Sequence, residues 1–231
     1  MSDAGMRIGG LTRLSTCDWP GELVATIFTQ GCPWRCGYCH NPSLIPAGTP
    51  GSVTWSEVLA FLERRRGLLD GVVFSGGEPT LQAGLPAAMK DVRALGFGVG
   101  LHTGGAYPER LAELLPLVDW VGFDVKADFA GYEVVTGVAR SGAKAAESLR
   151  RLLASGVAYE VRTTVHPRLM DSHALDHLAA QLQRLGVSTY VVQGFRATGC
   201  EDEALIMSAD PPPQLSPERA QAFASYSFRD G

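Results

Sequence analysis

Apolar positions along the chain gather into six short runs separated by amphipathic stretches. Leu23–Thr29 (LVATIFT) is rich in β-branched and aromatic residues and reads as a strand. Gly71–Phe74, Phe97–Leu101, Trp120–Asp124, Tyr159–Val165 and Thr189–Gln193 repeat that character. Between these runs the spacing becomes helical. Trp55–Arg65 places Val58, Leu59 and Leu62 on one face, and helices are expected near Gly84–Leu95, Pro108–Leu115, Ala143–Ala154 and Ser172–Leu185. Strands alternating with helices predict parallel βα units, whose right-handed crossovers curl into a barrel or wind into an open sheet. Six units fall short of the eight that close a barrel, so the expected fold is α/β, a partial, laterally open (β/α)6 barrel.

Past Gln193 the pattern breaks. Arg196–Pro217 carries the acidic CEDE stretch and Pro211–Pro213 and reads as a lid or linker, and a last amphipathic helix is expected near Ser216–Ser227. The expected organisation is a core domain over residues 1–195, with residues 196–231 as a lid and helix on the same domain. The Arg64–Arg66 run reads as a solvated helix face.

Composition narrows the function classes. The 231 residues are 45% hydrophobic and 19% charged, with formal net charge -4. That supports a packed core and excludes general disorder. No apolar run approaches the ~20 residues of a membrane span, and MSDAGMRIGG lacks a secretory signal pattern. A cytoplasmic protein with neither membrane nor nucleic-acid partners is expected, since no domain-wide basic field exists.

The five cysteines change the picture, because Cys32, Cys36 and Cys39 fall within eight residues, while Cys17 and Cys200 stand apart. A reduced cluster of this kind points to metal or redox chemistry. It follows the first expected strand directly, at the end where parallel α/β folds place their sites. Pro33 and Gly37 keep the segment from a regular helix, so it can wrap a ligand. The residues alone leave two readings open. One is a zinc knuckle whose fourth ligand would come from His40, Cys17 or Cys200. The other is an iron–sulfur cluster on three thiolates, with one iron left open for a substrate or cofactor.

The spacing C-x3-C-x2-C, with Tyr38 before the last cysteine, resembles the signature of the radical S-adenosylmethionine (SAM) enzymes. The resemblance implies the radical SAM form of the open barrel, and one 4Fe-4S cluster on Cys32, Cys36 and Cys39 whose fourth iron is chelated by SAM. Ser75-Gly76-Gly77-Glu78-Pro79 resembles the family's GGEP motif, which contacts the methionyl ammonium. Ser15-Thr16-Cys17-Asp18-Trp19-Pro20-Gly21 and Cys39-His40-Asn41-Pro42 are similar to the glycyl-radical-enzyme activating branch, closest to the anaerobic ribonucleoside-triphosphate reductase activating proteins. Asp124-Val125-Lys126 resembles the SAM-contacting D-(I/L/V)-K motif of those activators, and Arg162 and Gln193 occupy family-like polar positions. Thr103 stands in Leu101-His102-Thr103-Gly104-Gly105 where many activators have D-T-N-G, so His102 replaces a carboxylate.

The resemblance implies reductive cleavage of SAM to a 5'-deoxyadenosyl radical, which takes a hydrogen from a glycine of a partner enzyme. An anaerobic ribonucleotide reductase is the expected partner, with flavodoxin or ferredoxin as electron donor and no classical acid or base. The same core would also serve a small-molecule enzyme such as a 7-deazapurine synthase of queuosine biosynthesis. A non-enzymatic zinc or electron-transfer module is the remaining alternative.

Overall fold

The computed structural model describes residues 5–208 and 210–230. Eight strands form one sheet in the order β1 to β8: β1 (Ile8–Ser15), β2 (Val24–Thr29), β3 (Gly71–Gly76), β4 (Gly98–Thr103), β5 (Trp120–Asp124), β6 (Ala158–Val165), β7 (Thr189–Gly194) and β8 (Ser225–Arg229). β1 pairs antiparallel with β2, and every later pairing is parallel. The chain returns between parallel strands through α1 (Trp55–Glu63), α2 (Leu85–Ala94), α3 (Pro108–Leu114), α4 (Tyr132–Thr136), α5 (Ser141–Ser155), α6 (Ser172–Arg184), α7 (Glu203–Ile206) and α8 (Pro217–Gln221). The edge strands β1 and β8 do not pair with each other, so the wall stays open. No helix among the described residues is long and apolar enough to cross a membrane.

The alternation along each strand divides the sheet into two unlike faces. One set, including Ile27, Phe74, Leu101, Phe123 and Val161, is fully buried and forms the core with Val58, Leu62, Met89, Leu149 and Leu178 of the helices. The other set mixes glycines and polar residues with a few apolar ones, Val73 and Trp120 among them. Register aligns Thr26 with Val73, Gly100 with Trp120, His102 with Gly122, and Asp124 with Arg162. Side chains of this second set meet across intervening strands, as when Arg162 of β6 reaches His102 of β4, so it lines the concave side.

The six expected strands are present, with two corrections. β1 was not expected as a strand; its sequence IGGLTRLS carries two glycines and an exposed Thr12–Leu14 stretch with no alternating pattern, and its place comes from pairing to β2. The helix expected over Ser216–Ser227 ends at Gln221, after which Ser225–Arg229 adds β8 in parallel to β7. Arg229 makes a bidentate pair with Glu160, both bonds 2.8 Å. Glu160 is 5% exposed at its side chain, so the pair fixes β8 to β6 over the intervening strand.

Removing one partner of a buried pair strands the other charge. Arg229→Met is therefore expected to lower the unfolding free energy in urea by about 3 kcal/mol. An unchanged midpoint and slope would place β8 outside the cooperative fold.

Candidate functional site

The Cys32–Cys39 loop leaves the end of β2 through Gly31, whose φ of +102° suits glycine. Its course is fixed by backbone bonds: Gly31 N–H donates to the Leu44 carbonyl at 2.7 Å, Cys32 N–H to Ile45 at 3.0 Å and Arg35 N–H to Thr136 at 2.9 Å. Cys39 N–H closes a turn onto the Cys36 carbonyl at 3.0 Å. The three cysteines, all partly buried, line one cavity of about 800 Å³ of empty space including its open mouth.

The turn after β3 forms the facing wall. Gly77 N–H donates to the Thr29 carbonyl at 3.0 Å and Glu78 N–H to the Gly31 carbonyl at 2.9 Å, which ties this turn to the root of the cysteine loop. A Cβ at Gly76 or Gly77 would lie 2.3 Å from Thr29 N or Gly31 O. The two glycines thus serve the approach of one backbone to another. Glu78 is buried, and its carboxylate accepts from Thr80 N–H at 3.1 Å, Thr80 Oγ1 at 2.6 Å, Thr103 Oγ1 at 2.7 Å and Gly104 N–H at 3.0 Å. Burial pushes its pKa up, against the pull of these donors. The same Thr103 hydroxyl accepts from Gly105 N–H at 3.0 Å.

Asp124 closes the end of β5 beside Lys126. Burial works against ionisation of Asp124, yet Arg162 and then Lys126 hold its pKa below the usual carboxylate value. Arg162 Nε donates to Asp124 Oδ1 at 2.9 Å. Lys126 Nζ lies 6.0 Å from the Trp34 ring centre and 5.7 Å from that of Tyr38. Burial opposes its charge, but the groups around it keep its pKa well above the ordinary lysine value. It is a protonated cation in the cavity wall.

Of the residues singled out in the sequence, Cys32, Cys36, Tyr38, Cys39, Gly76, Gly77, Glu78, Thr103, Asp124 and Lys126 all line this cavity. Pro79, Val125, Arg162 and Gln193 lie outside its lining. Pro79 is buried at the start of a 3-10 turn, Val125 is in the core, and Arg162 is engaged with Asp124. Thr164 and Ile45 line the cavity without having been anticipated. Thr164 could have been found as the next residue after Arg162 on the same face of β6. Cys200 is buried beside Tyr38 with its sulfur 3.7 Å from the Gly37 carbonyl, and Cys17 is exposed.

The donor set fits an iron–sulfur cluster. Among the described residues no three His, Cys, Asp or Glu side chains converge as ligands of one ion do. Three thiols on the lining of one cavity suit a group in which each thiolate binds a different iron. Burial, and then nearby Glu78, push the Cys32 thiol up to about 12, and burial raises Cys36 as well. Ligation needs thiolates, so loading such a group releases protons and supplies the positive charge these thiols lack.

The sequence profile of the radical SAM superfamily matches residues 26–180. A Methanocaldococcus jannaschii protein described as a glycyl-radical enzyme activating enzyme is 30% identical over 203 residues, covering 85% of this chain and 82% of the relative. The pyruvate formate-lyase-activating enzyme of Clostridium pasteurianum is 34% identical over 179 residues, covering 72% of this chain and 71% of its own. Among solved structures, Streptococcus suis SuiB bound to S-adenosylmethionine superposes with a TM-score of 0.65 at 12% identity. That match covers 87% of this chain and 48% of SuiB, so the chain spans about half of SuiB and the likeness is one of fold. With the cysteine loop and the Gly76–Glu78 turn around one cavity, the profile and these relatives lead to one conclusion: the chain belongs to the radical SAM superfamily, whose members use a 4Fe-4S cluster and S-adenosylmethionine, and it is homologous to glycyl-radical enzyme activating enzymes.

Proposed function

We propose that this enzyme cleaves SAM reductively and installs a glycyl radical on a partner enzyme, an anaerobic ribonucleoside-triphosphate reductase, in the cytoplasm, with flavodoxin or ferredoxin as electron donor. The observation that carries the reading is the seam joining the cysteine loop to the Gly76–Glu78 turn, which puts three thiols and a SAM-type turn in one cavity. The STCDWPG and CHNP segments support the choice of partner, and the activating-enzyme relatives support the broader class, a glycyl-radical enzyme. The unpaired edges β1 and β8 leave the wall open for a loop of a large protein substrate.

In this reading Cys32, Cys36 and Cys39 hold the cluster. The bound cluster and SAM together supply the carbon radical that removes hydrogen from glycine. The chain's own part is positional. Glu78 braces the turn by fixing Thr80, Thr103 and Gly104, so the turn would offer a rigid backbone edge to the methionyl group of bound SAM. Asp124, kept ionised by Arg162, presents a carboxylate to the cofactor's cationic groups. Lys126, packed against Trp34 and Tyr38, supplies a fixed positive charge near the thiols, and the two rings exclude water there.

Anaerobic incubation with SAM, a reductant and the reductase is expected to produce a glycyl-radical EPR signal that depends on this chain. Production of 5'-deoxyadenosine with no radical on any candidate reductase would overturn the partner. Cys36→Ser is expected to abolish iron and sulfide incorporation, whereas Cys200→Ala retains both, since Cys200 packs on Tyr38 and the Gly37 carbonyl and does not line the cavity. Loss of iron in the second variant would show a misplaced ligand. Glu78→Ala is expected to keep the cluster but raise the Kd for SAM roughly tenfold, about the worth of one broken buried hydrogen-bond set. Equilibrium dialysis measures it.

A further inference from the structure

The Ser15–Gly21 segment, singled out in the sequence, has no part in the mechanism above, yet it enters the concave side of the sheet. Trp19 fills the space left by three glycines: a Cβ at Gly71, Gly98 or Gly100 would come 3.0, 3.3 or 2.9 Å from its ring. The ring stacks on Trp120 with centroids 5.7 Å apart and planes 15° from parallel. Asp18 is anchored next to it, its carboxylate accepting from Thr26 Oγ1 at 2.6 Å. The turn between β1 and β2 is therefore a plug driven into the barrel from below, and it delivers the Asp18 backbone carbonyl to His102.

His102 Nε2 lies 2.7 Å from that carbonyl oxygen, which can only accept, so Nε2 carries a proton. Arg162 Nη1 lies 3.2 Å from the same nitrogen and is also a donor, so it stands beside the ring without sharing that bond. A second ring proton would set a cation against this guanidinium in a buried place. The charged groups facing the ring are Arg162, Asp124 and Asp18, and burial followed by Arg162 outweighs the two carboxylates, pulling the ring's pKa down to about 4. Nδ1 is thus bare and accepts from Ser75 Oγ at 3.2 Å. Ser75 and Asp124 both line the cavity, and Ser75 directly precedes Gly76.

We propose that His102 is a positioning residue: clamped as the neutral Nε2–H tautomer between the plug's Asp18 carbonyl and the Ser75 hydroxyl, it fixes the cavity floor and confines the Arg162 guanidinium to Asp124. It deepens the SAM-binding reading and rests on it for the identity of the ligand. The same arrangement explains why the plug carries Asp18 next to Trp19. The tryptophan sets the depth of insertion, and the aspartate, through Thr26, sets the direction of the carbonyl. Neither residue touches the cavity itself.

The test uses the full chain, reconstituted with iron and sulfide, and three variants. His102→Leu removes both ring bonds at similar bulk. His102→Gln keeps an N–H that reaches the Asp18 carbonyl. Thr26→Val loosens the Asp18 anchor away from the cavity. His102→Leu is expected to raise the Kd for SAM roughly tenfold at unchanged iron content, His102→Gln to recover most of the loss, and Thr26→Val to shift it a few-fold in the same direction. The change that SAM makes in the EPR spectrum of the reduced cluster should be altered in the same order. Wild-type affinity in His102→Leu overturns the proposal. Should that variant fail to fold, wild-type affinity and spectrum in Thr26→Val overturn it instead. Nitrogen NMR of the imidazole in the metal-free chain decides the tautomer independently. A neutral Nε2–H ring from pH 5 to pH 8 is expected, and titration near the ordinary histidine value of about 6.5 overturns the assignment. If the loaded wild type binds no SAM, the cofactor reading fails, while the NMR result still decides the role of His102.

Discussion

Everything at the cavity depends on one seam, where the backbone after β3 lies against the backbone after β2. Two hydrogen bonds, from Gly77 to Thr29 and from Glu78 to Gly31, close it, and only hydrogen atoms fit at the α-carbons of Gly76 and Gly77. The seam sets the distance between the thiol-bearing loop and the opposite wall. It also explains the burial of Glu78: with four donors gathered on its carboxylate, that side chain joins the ends of β3 and β4 and continues the seam one strand further. The buried carboxylate is tolerated because its acceptor positions are filled.

The concave face is assembled on the opposite principle from the core. The helix-covered face is close-packed hydrocarbon, whereas the inner face holds glycines, two stacked tryptophans and a row of charged or polar groups. Glycines at Gly71, Gly98, Gly100 and Gly122 make room for large groups from elsewhere, the Trp19 ring over the first three and the Arg162 guanidinium over the last. Small residues on some strands make room for Trp19 from outside the sheet and for Trp120 and Arg162 from other strands, and together these fill the partial barrel.

The parallel core was legible because βα units leave long apolar runs, buried on the helix side, such as Val72–Phe74 and Val121–Phe123. The two edge strands were not. β1 carries Gly9, Gly10 and Arg13, and β8 carries Ser225 and Ser227; both owe their extended form to a neighbour far away in sequence. The cysteine loop could be read from spacing, which is local. The partnership of Asp18, Ser75, His102 and Arg162 could not, since it joins four positions up to 144 residues apart through hydrogen bonds that no periodicity records. Arg162 was noticed as polar, but only the structure shows its charge committed to Asp124.

The outer wall of the cysteine loop is built from the far end of the chain. Cys200 sits against Tyr38 and Gly37, Gly199 lies where a Cβ would strike the His40 carbonyl, and Leu205 joins the same small cluster. The surface that covers the thiols thus lies about 160 residues after them in the chain. Until that stretch docks, the outer side of the cysteine loop has no cover. The finished socket exists only when residues 199–205 have packed on the loop, which makes it a product of the whole fold and not of the local cysteine spacing.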